Sequence, residues 1–212
     1  LYAAVATGAF YILCAVAHAQ AGEPYVGIAA GGSGADFEAA SNVYPSTLGR
    51  GTTQRRDRND KAARIFGGYS FSPSIAAEIS AGIVGQFDVT ERSGSQSLRN
   101  ELSVGAIAID AVATWPVSRR LGIYAGAGAA YARVKSSVTL SGGAQLAPGT
   151  KLKRTDSRTI PHARIGVAWQ PANRWHVRFE TDAYFDAGVG QGPNATGTSN
   201  LNTLAVGVAY RF

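Results

Sequence analysis

Sulfur and charge are both scarce in this chain. Of its 212 residues one is Cys, none is Met, three are His, and only 16% are charged. A lone thiol, Cys14, can close no disulfide within the chain and supplies no Cys-ligated metal site. So few charges argue against a water-facing surface dense in Lys and Glu. After residue 17 there is no apolar run of the roughly 20 residues that a membrane-crossing helix needs. The balance is basic, with a formal charge of +6 and a pI near 9.7, yet no basic helix or aromatic-interleaved motif accompanies it. That pattern speaks against nucleic acid and for acidic lipid headgroups or phosphates.

What is abundant is alternation. From Asn202 to Phe212, Leu204, Val206, Val208, Tyr210 and Phe212 share one parity, and Thr203, Ala205, Gly207, Ala209 and Arg211 share the other. A period of two describes an extended strand with one apolar face, at about the 9 to 11 residues a tilted strand needs to cross a bilayer. With 26 Gly and a mean hydropathy near zero, the composition suits a membrane β-barrel better than a helical membrane protein.

Residues 1–19 are expected to be a signal peptide. Residues 1–17 are apolar and uncharged and lead into Ala17-His18-Ala19, a small-x-small cleavage pattern that would start the mature chain near Gln20 and remove Cys14. The run lacks the basic segment that precedes such signals and reads as truncated at its start; a short anchoring helix is the alternative. Residues 20–212 are expected to form one barrel domain.

Alternation returns eight times: Glu23 to Gly31, Ala62 to Phe71, Ile75 to Phe87, Leu102 to Trp115, Leu121 to Lys135, Thr159 to Gln170, Arg174 to Phe185 and Asn202 to Phe212. Short turns at Ser72-Pro73-Ser74, Pro116 to Arg120 and Pro171-Ala172-Asn173 alternate with longer polar connections near 32–61, 88–101, 136–158 and 186–201. An even strand count with turns short at one end and long at the other predicts an all-β, eight-stranded antiparallel up-and-down transmembrane barrel.

Facing follows from cost. In the seventh strand Trp175, Val177, Phe179, Thr181, Ala183 and Phe185 oppose Arg174, His176, Arg178, Glu180, Asp182 and Tyr184. An Arg placed in lipid at the midplane costs about 2 to 4 kcal/mol, so the second set faces inward. In the sixth, Ala163, Ile165, Val167 and Trp169 face out against His162, Arg164, Gly166 and Ala168; in the third, Ile75, Ile79 and Ile83 face out against Glu78, Ser80 and Gln86. Phe71, Trp115, Trp169, Trp175 and Phe212 would form an aromatic girdle beside the short turns, with Phe87, Tyr131 and Phe185 opposite. A soluble barrel with its apolar face inward is the competing fold. The polar face here, mostly Gly, Ala, Ser and Thr, fits a crowded interior better than a water-facing exterior.

Gly67-Gly68-Tyr69-Ser70-Phe71-Ser72-Pro73, Trp115-Pro116-Val117-Ser118 leading into Ile123-Tyr124, Arg178-Phe179-Glu180, and the ending Val206-Gly207-Val208-Ala209-Tyr210-Arg211-Phe212 resemble the transmembrane domain of outer membrane protein A and its small-barrel relatives. The resemblance implies an outer-membrane location, a barrel-assembly signal in Tyr210 and Phe212, and roles in anchoring the envelope, adhesion through loops, or small gated pores. It also implies an interior gate of paired acids and bases. Glu78 and Arg178 stand at two of its positions, while Val112 and Ala168 stand where a Lys and a second Glu would be.

Within the barrel Arg64, Arg164, Arg178 and Arg211 are expected to balance Glu78, Asp110, Glu180 and Asp182 in a luminal charge network, because buried charges must be paired. Asp110 has no partner that the sequence identifies. Such a network plugs a narrow lumen, and a gated pore is the second reading. His162 and His176 have inward parity, which argues against a lipid A-modifying enzyme with a lipid-side His and Ser. No cofactor and no metal is expected. Outside, Arg55-Arg56-Asp57-Arg58 reads as solubilising loop charge. Lys151, Lys153 and Arg154, offset only by Asp156, form the preferred contact patch for lipopolysaccharide or an extracellular ligand, with Arg133 and Lys135 near that rim. Outer-membrane lipid and the barrel-assembly machinery are the other expected partners, and the chain is expected to be a monomer.

Overall fold

A computed structural model describes residues 22–35, 53–57, 59–143, 152–189 and 197–212. The expected signal peptide lies outside these residues. Among the described residues nine strands follow in order: β1 (Glu23–Ala35), β2 (Thr53–Asp57), β3 (Asn59–Ser70), β4 (Ile75–Ser93), β5 (Gln96–Pro116), β6 (Leu121–Ser141), β7 (Lys153–Ala172), β8 (Trp175–Val189) and β9 (Gly197–Arg211). All but β2 form a closed eight-stranded antiparallel barrel, sealed where β1 pairs with both β3 and β9. Closure leaves no open edge among these strands, which a bilayer requires of any sheet that spans it.

Local chemistry sets the short turns. The Ser72 hydroxyl accepts from the amides of Ser74 and Ile75, and the Ser118 hydroxyl accepts from those of Arg120 and Leu121. Each serine thereby holds a hydroxyl-capped turn after an exposed aromatic, Phe71 or Trp115. The third turn is displaced from its expected position, since β7 continues through Pro171 and Ala172 and the reversal falls on Asn173 and Arg174.

At the opposite end the strands run well past the expected boundaries. Residues 88–101, expected as a long loop, instead complete a hairpin whose rungs continue to Ser93↔Gln96, with the turn at Gly94 and Ser95. Gly94 takes a φ of 59°, the left-handed region that favours glycine. Arg55, Arg56 and Asp57 belong to β2, opposite Thr90, Val89 and Asp88 of β4, rather than to a loop, while Arg58 lies outside the described residues. With a rise of about 3.4 Å per residue and a tilt near 40°, the 21 residues of β5 climb roughly 55 Å, about twice the apolar band of an outer membrane. Strands of that length extend well beyond such a band at the long-loop end.

One irregularity changes the facing. The β4–β5 register shifts between Ile83 and Gly85, so two residues of β4 oppose one of β5 and the parity of β4 inverts above that point. Gln86, expected inside, is exposed, and its amide donates to Asp60 Oδ2. Phe87, expected in the outer ring with Tyr131 and Phe185, is buried to 1% exposure inside the barrel, whereas Tyr131 and Phe185 are exposed.

The interior has two halves. Towards the long-loop end it is apolar, with Val84, Phe87, Leu102, Val104, Ile160 and Leu201 packed together with alanines. Towards the short turns it holds Tyr25, Phe66, Val112 and Tyr124 around ionised side chains. Glycines make room for these rings. A Cβ at Gly68 would stand 2.3 Å from the Tyr25 ring, and one at Gly128 would stand 1.9 Å from the Ile109 carbonyl oxygen.

Candidate functional site

The charged centre of the lumen is assembled from five strands. β3 supplies Arg64, β4 Glu78, β5 Asp110, β7 His162 and Arg164, and β8 Arg178, Glu180 and Asp182. Alternation points each inward, and the register brings them together: Glu78 is opposite Asp110, Asp110 opposite Gly128, and Arg164 opposite Asp182.

Glu78 is the hub. It accepts from Arg164, from Arg178 Nη1 at 2.7 Å and from the Tyr25 hydroxyl at 2.9 Å, so three donors converge on one carboxylate that is 2% exposed. Arg164 continues from Glu78 to Asp110 Oδ2 at 2.5 Å. Asp110, which sequence reasoning left without a partner, also holds His162 Nδ1 at 2.7 Å. On the other side Glu180 takes Arg64 and the Tyr124 hydroxyl. Asp182 accepts from the Thr203 hydroxyl at 2.8 Å and faces Arg64 Nη1 at 3.3 Å, with His162 Nε2 and Arg164 Nε each at 3.5 Å. Each acid thus has at least two polar partners, the condition on which buried charge is tolerated.

Arg178 is also enclosed by aromatic rings. Its guanidinium carbon lies 4.6 Å from the centroid of Phe66, 5.1 Å from Tyr25 and 5.2 Å from Tyr124. Ring faces attract a cation, most strongly where water is excluded. Sequence reasoning missed this cage. The signal was present in the inward parity of Tyr25, Phe66 and Tyr124, but it becomes legible only once the register aligns three separate strands. Val112 and Ala168, at the two family gate positions without charge, pack with the same aromatic cluster.

Arg211 does not join the network. It sits one residue from the chain's last, at the short-turn end, and pairs with Glu23 at 3.1 Å. Its parity is inward, but its height on the barrel sets it apart from the mid-lumen acids. His176 is half-buried on β8 near the same end.

Above the network is a cavity of about 20 Å³ lined in part by Arg64, Ser80, Asp182, Tyr184 and Thr203, room for about one water. Beyond it the apolar half begins. Charge pairs below and packed hydrocarbon above together close the centre of the barrel.

On the outer wall Phe71, Trp115, Trp169, Trp175 and Phe212 are all exposed beside the short turns. Tyr210 meets Trp175 edge-on at 5.1 Å and Phe212 at 5.3 Å, so the terminal strand ends in a ring cluster. At the far end Lys153 opens β7 and is exposed, followed by Arg154 in the same strand; Lys151 lies outside the described residues.

Residues 19–212 match the model of the OmpA-like transmembrane domain family. A search among curated proteins finds no match. Solved barrels share the fold. Neisserial surface protein A is 13% identical with a TM-score of 0.57, the match covering 91% of this chain and 100% of that one. OprG of Pseudomonas aeruginosa is 12% identical with a TM-score of 0.53, covering 90% of this chain and 96% of that one. Ail of Yersinia pestis, in a crystal structure with the heparin analogue sucrose octasulfate, is 14% identical with a TM-score of 0.51, covering 91% of this chain and 100% of that one.

Proposed function

The chain belongs to the OmpA-like transmembrane domain family, and from that premise we propose that it is a non-enzymatic, monomeric envelope protein whose role is structural or lies in binding at the cell surface. It is a small β-barrel of the bacterial outer membrane. The observation that carries the proposal is the closed lumen: Glu78, Asp110, Glu180 and Asp182 are each at most 2% exposed and are held by Arg64, Arg164, Arg178 and His162. An eight-stranded barrel is only just wide enough for its own side chains, so such a network leaves little continuous water.

The positions of the histidines support a non-catalytic role. His162 is enclosed between Asp110 and Asp182, away from the lipid face where an acyl chain would arrive. With the lumen closed, the surface available for binding is the long-loop end, where the basic residues gather. Ail is a barrel of similar fold that takes up a sulfated sugar, and a polyanion is the class of ligand we assign to this end. Tyr210 and Phe212 would serve as the signal read by the barrel-assembly machinery.

A narrow gated pore is the second reading, favoured by the Glu78–Arg178 pair, whose exchange of partners could open a path. Single-channel recording of the refolded protein in a planar bilayer decides between them. A folded but silent barrel is expected. Steady openings altered by Glu78→Ala or Arg178→Ala would replace the structural reading with the pore.

A further inference from the structure

The buried acids outnumber the arginines that hold them. Glu78, Asp110, Glu180 and Asp182, each at most 2% exposed, make their ion pairs among the described residues with Arg64, Arg164, Arg178 and His162. Three guanidiniums leave one negative charge unbalanced in a packed lumen, where an uncompensated carboxylate is strongly disfavoured. The remaining member of the set is an imidazole.

The register places His162 to supply the missing charge. Asp110 of β5 and His162 of β7 both lie opposite Gly128 of the intervening β6, and a Cβ at Gly128 would stand 2.7 Å from Asp110 Oδ1. Because glycine leaves that space open, the carboxylate reaches past β6 to His162 Nδ1 at 2.7 Å. On the other side, Nε2 faces Asp182 Oδ1 of β8 at 3.5 Å. A neutral imidazole has one N–H and one lone pair, so between two carboxylates it would aim that lone pair at one of them. Only the imidazolium donates from both nitrogens. The Tyr184 ring of β8 covers it with centroids 4.5 Å apart, and His162 is 2% exposed.

The other groups around the ring do not take its place. Arg164, on the same strand and face, is already committed to Glu78 of β4 and to Asp110, and Arg64 of β3 lies on the far side of Asp182, shared with Glu180. β9 presents to Asp182 only the hydroxyl of Thr203. The cavity above the network, lined in part by Asp182 and Tyr184, brings room for a water to the edge of this cluster and so a path by which a proton can exchange.

We propose that His162 is a doubly protonated imidazolium and that its proton latches the lumen. With the proton, the four acids meet four cations; without it, the network carries an uncompensated negative charge and loosens. Imidazole is the side chain that can lose its charge in mildly alkaline medium while arginines and carboxylates keep theirs, so the latch makes closure sensitive to pH. The latch rests on the closed lumen, whereas the charge state of His162 can be read without it.

The test begins with nitrogen-15 NMR of histidine-labelled protein, refolded in detergent micelles at neutral pH. The His162 resonances are identified by their loss in His162→Gln, or by their survival in His176→Gln if the first variant does not fold. Both ring nitrogens are expected to carry a proton, and a neutral tautomer would overturn the proposal. Urea titration in lipid vesicles then compares about pH 6 with about pH 9, an interval in which imidazole can titrate and carboxylates do not. The native state holds a proton that the unfolded chain releases, so stability falls as pH rises. The ratio of folded to unfolded protein is expected to fall at least about tenfold further in wild type than in His162→Gln, and His176→Gln is expected to retain the fall. Charge balance also predicts compensation. Adding Asp110→Asn to His162→Gln leaves three acids to three arginines, and the double variant is expected to be at least as stable as His162→Gln alone. Losses that add, or an equal pH response of wild type and His162→Gln, would reduce His162 to a packing residue and overturn the latch. Single-channel openings at neutral pH would refute the closed lumen, with the nitrogen spectrum still deciding the charge on His162.

Discussion

Replacing Arg164 by Met removes one buried cation from three acids at once. Its guanidinium bonds Glu78 and Asp110, the latter at 2.5 Å, and faces Asp182 at 3.5 Å, with all four side chains essentially inaccessible. Breaking a buried pair by deleting one partner costs about 3 to 5 kcal/mol, because the charges left behind remain desolvated. The lower end applies here. Glu78 keeps Arg178 and Tyr25, Asp110 keeps His162, and Asp182 keeps Arg64 and Thr203. The contrast is Arg99→Ala, which removes an ion pair of similar geometry, Arg99–Asp88 at 2.8 Å, from a site where the two side chains are 53% and 41% exposed. An exposed pair of this kind contributes about 0.2 to 1 kcal/mol. Urea titration in lipid vesicles, followed by fluorescence of the three lipid-facing Trp, should therefore separate the variants by at least about 2 kcal/mol. Arg164→Lys, which keeps the charge but loses the fork, should fall between them and serves if the Met variant does not fold. Arg164→Met within 1 kcal/mol of Arg99→Ala would refute the claim that the plug is a strongly coupled, water-poor network.

Tyr25→Phe should lose about 1.5 to 3 kcal/mol in the same titration, because Glu78 forfeits a hydroxyl donor in a buried site; an unchanged midpoint would mean that water replaces the hydroxyl. Gly128→Ala drives a Cβ into the Ile109 carbonyl and should cost roughly 1 to 3 kcal/mol, against no measurable loss for Gly32→Ala, whose Cβ would meet only the Asp60 carbonyl oxygen at 3.8 Å. Phe212→Ala should lower the amount of folded barrel in cells, measured by heat-modifiable gel mobility of outer-membrane fractions, while refolding in detergent stays as wild type. Tyr210→Ala should weaken both, since Tyr210 packs against Trp175 as well as Phe212.

The barrel was legible because its strongest determinant is local. Lipid on one side and a crowded lumen on the other impose a period of two on each strand, and β7 and β8 carry it in plain residues. The bulge on β4 was not legible, because Ile83, Val84 and Phe87 are all apolar and either parity satisfies the pattern; only the ladder to β5 shows that Val84 and Phe87 turn inward. The apolar half of the lumen could have been read by following Asp110 up its own strand, since Ala108, Ala106, Val104 and Leu102 share its parity. The expectation that a charge network fills the lumen obscured it. His162 as the partner of Asp110 needs a register across β5, β6 and β7, which no single strand reveals. Strand ends on the long-loop side were expected too short because the wall outside the membrane is no longer bound to a lipid face, and its alternation softens into Ser, Thr and charge.

That external wall has a thermodynamic consequence. A ligand that docks on an unstructured loop must order it and gives up conformational entropy at every residue it fixes. The ladder from Phe87↔Leu102 to Ser93↔Gln96 is already held by interstrand hydrogen bonds, so much of that entropy is lost during folding. Recognition on the wall is therefore preorganised, and substitutions there should change how long a ligand stays more than how fast it arrives.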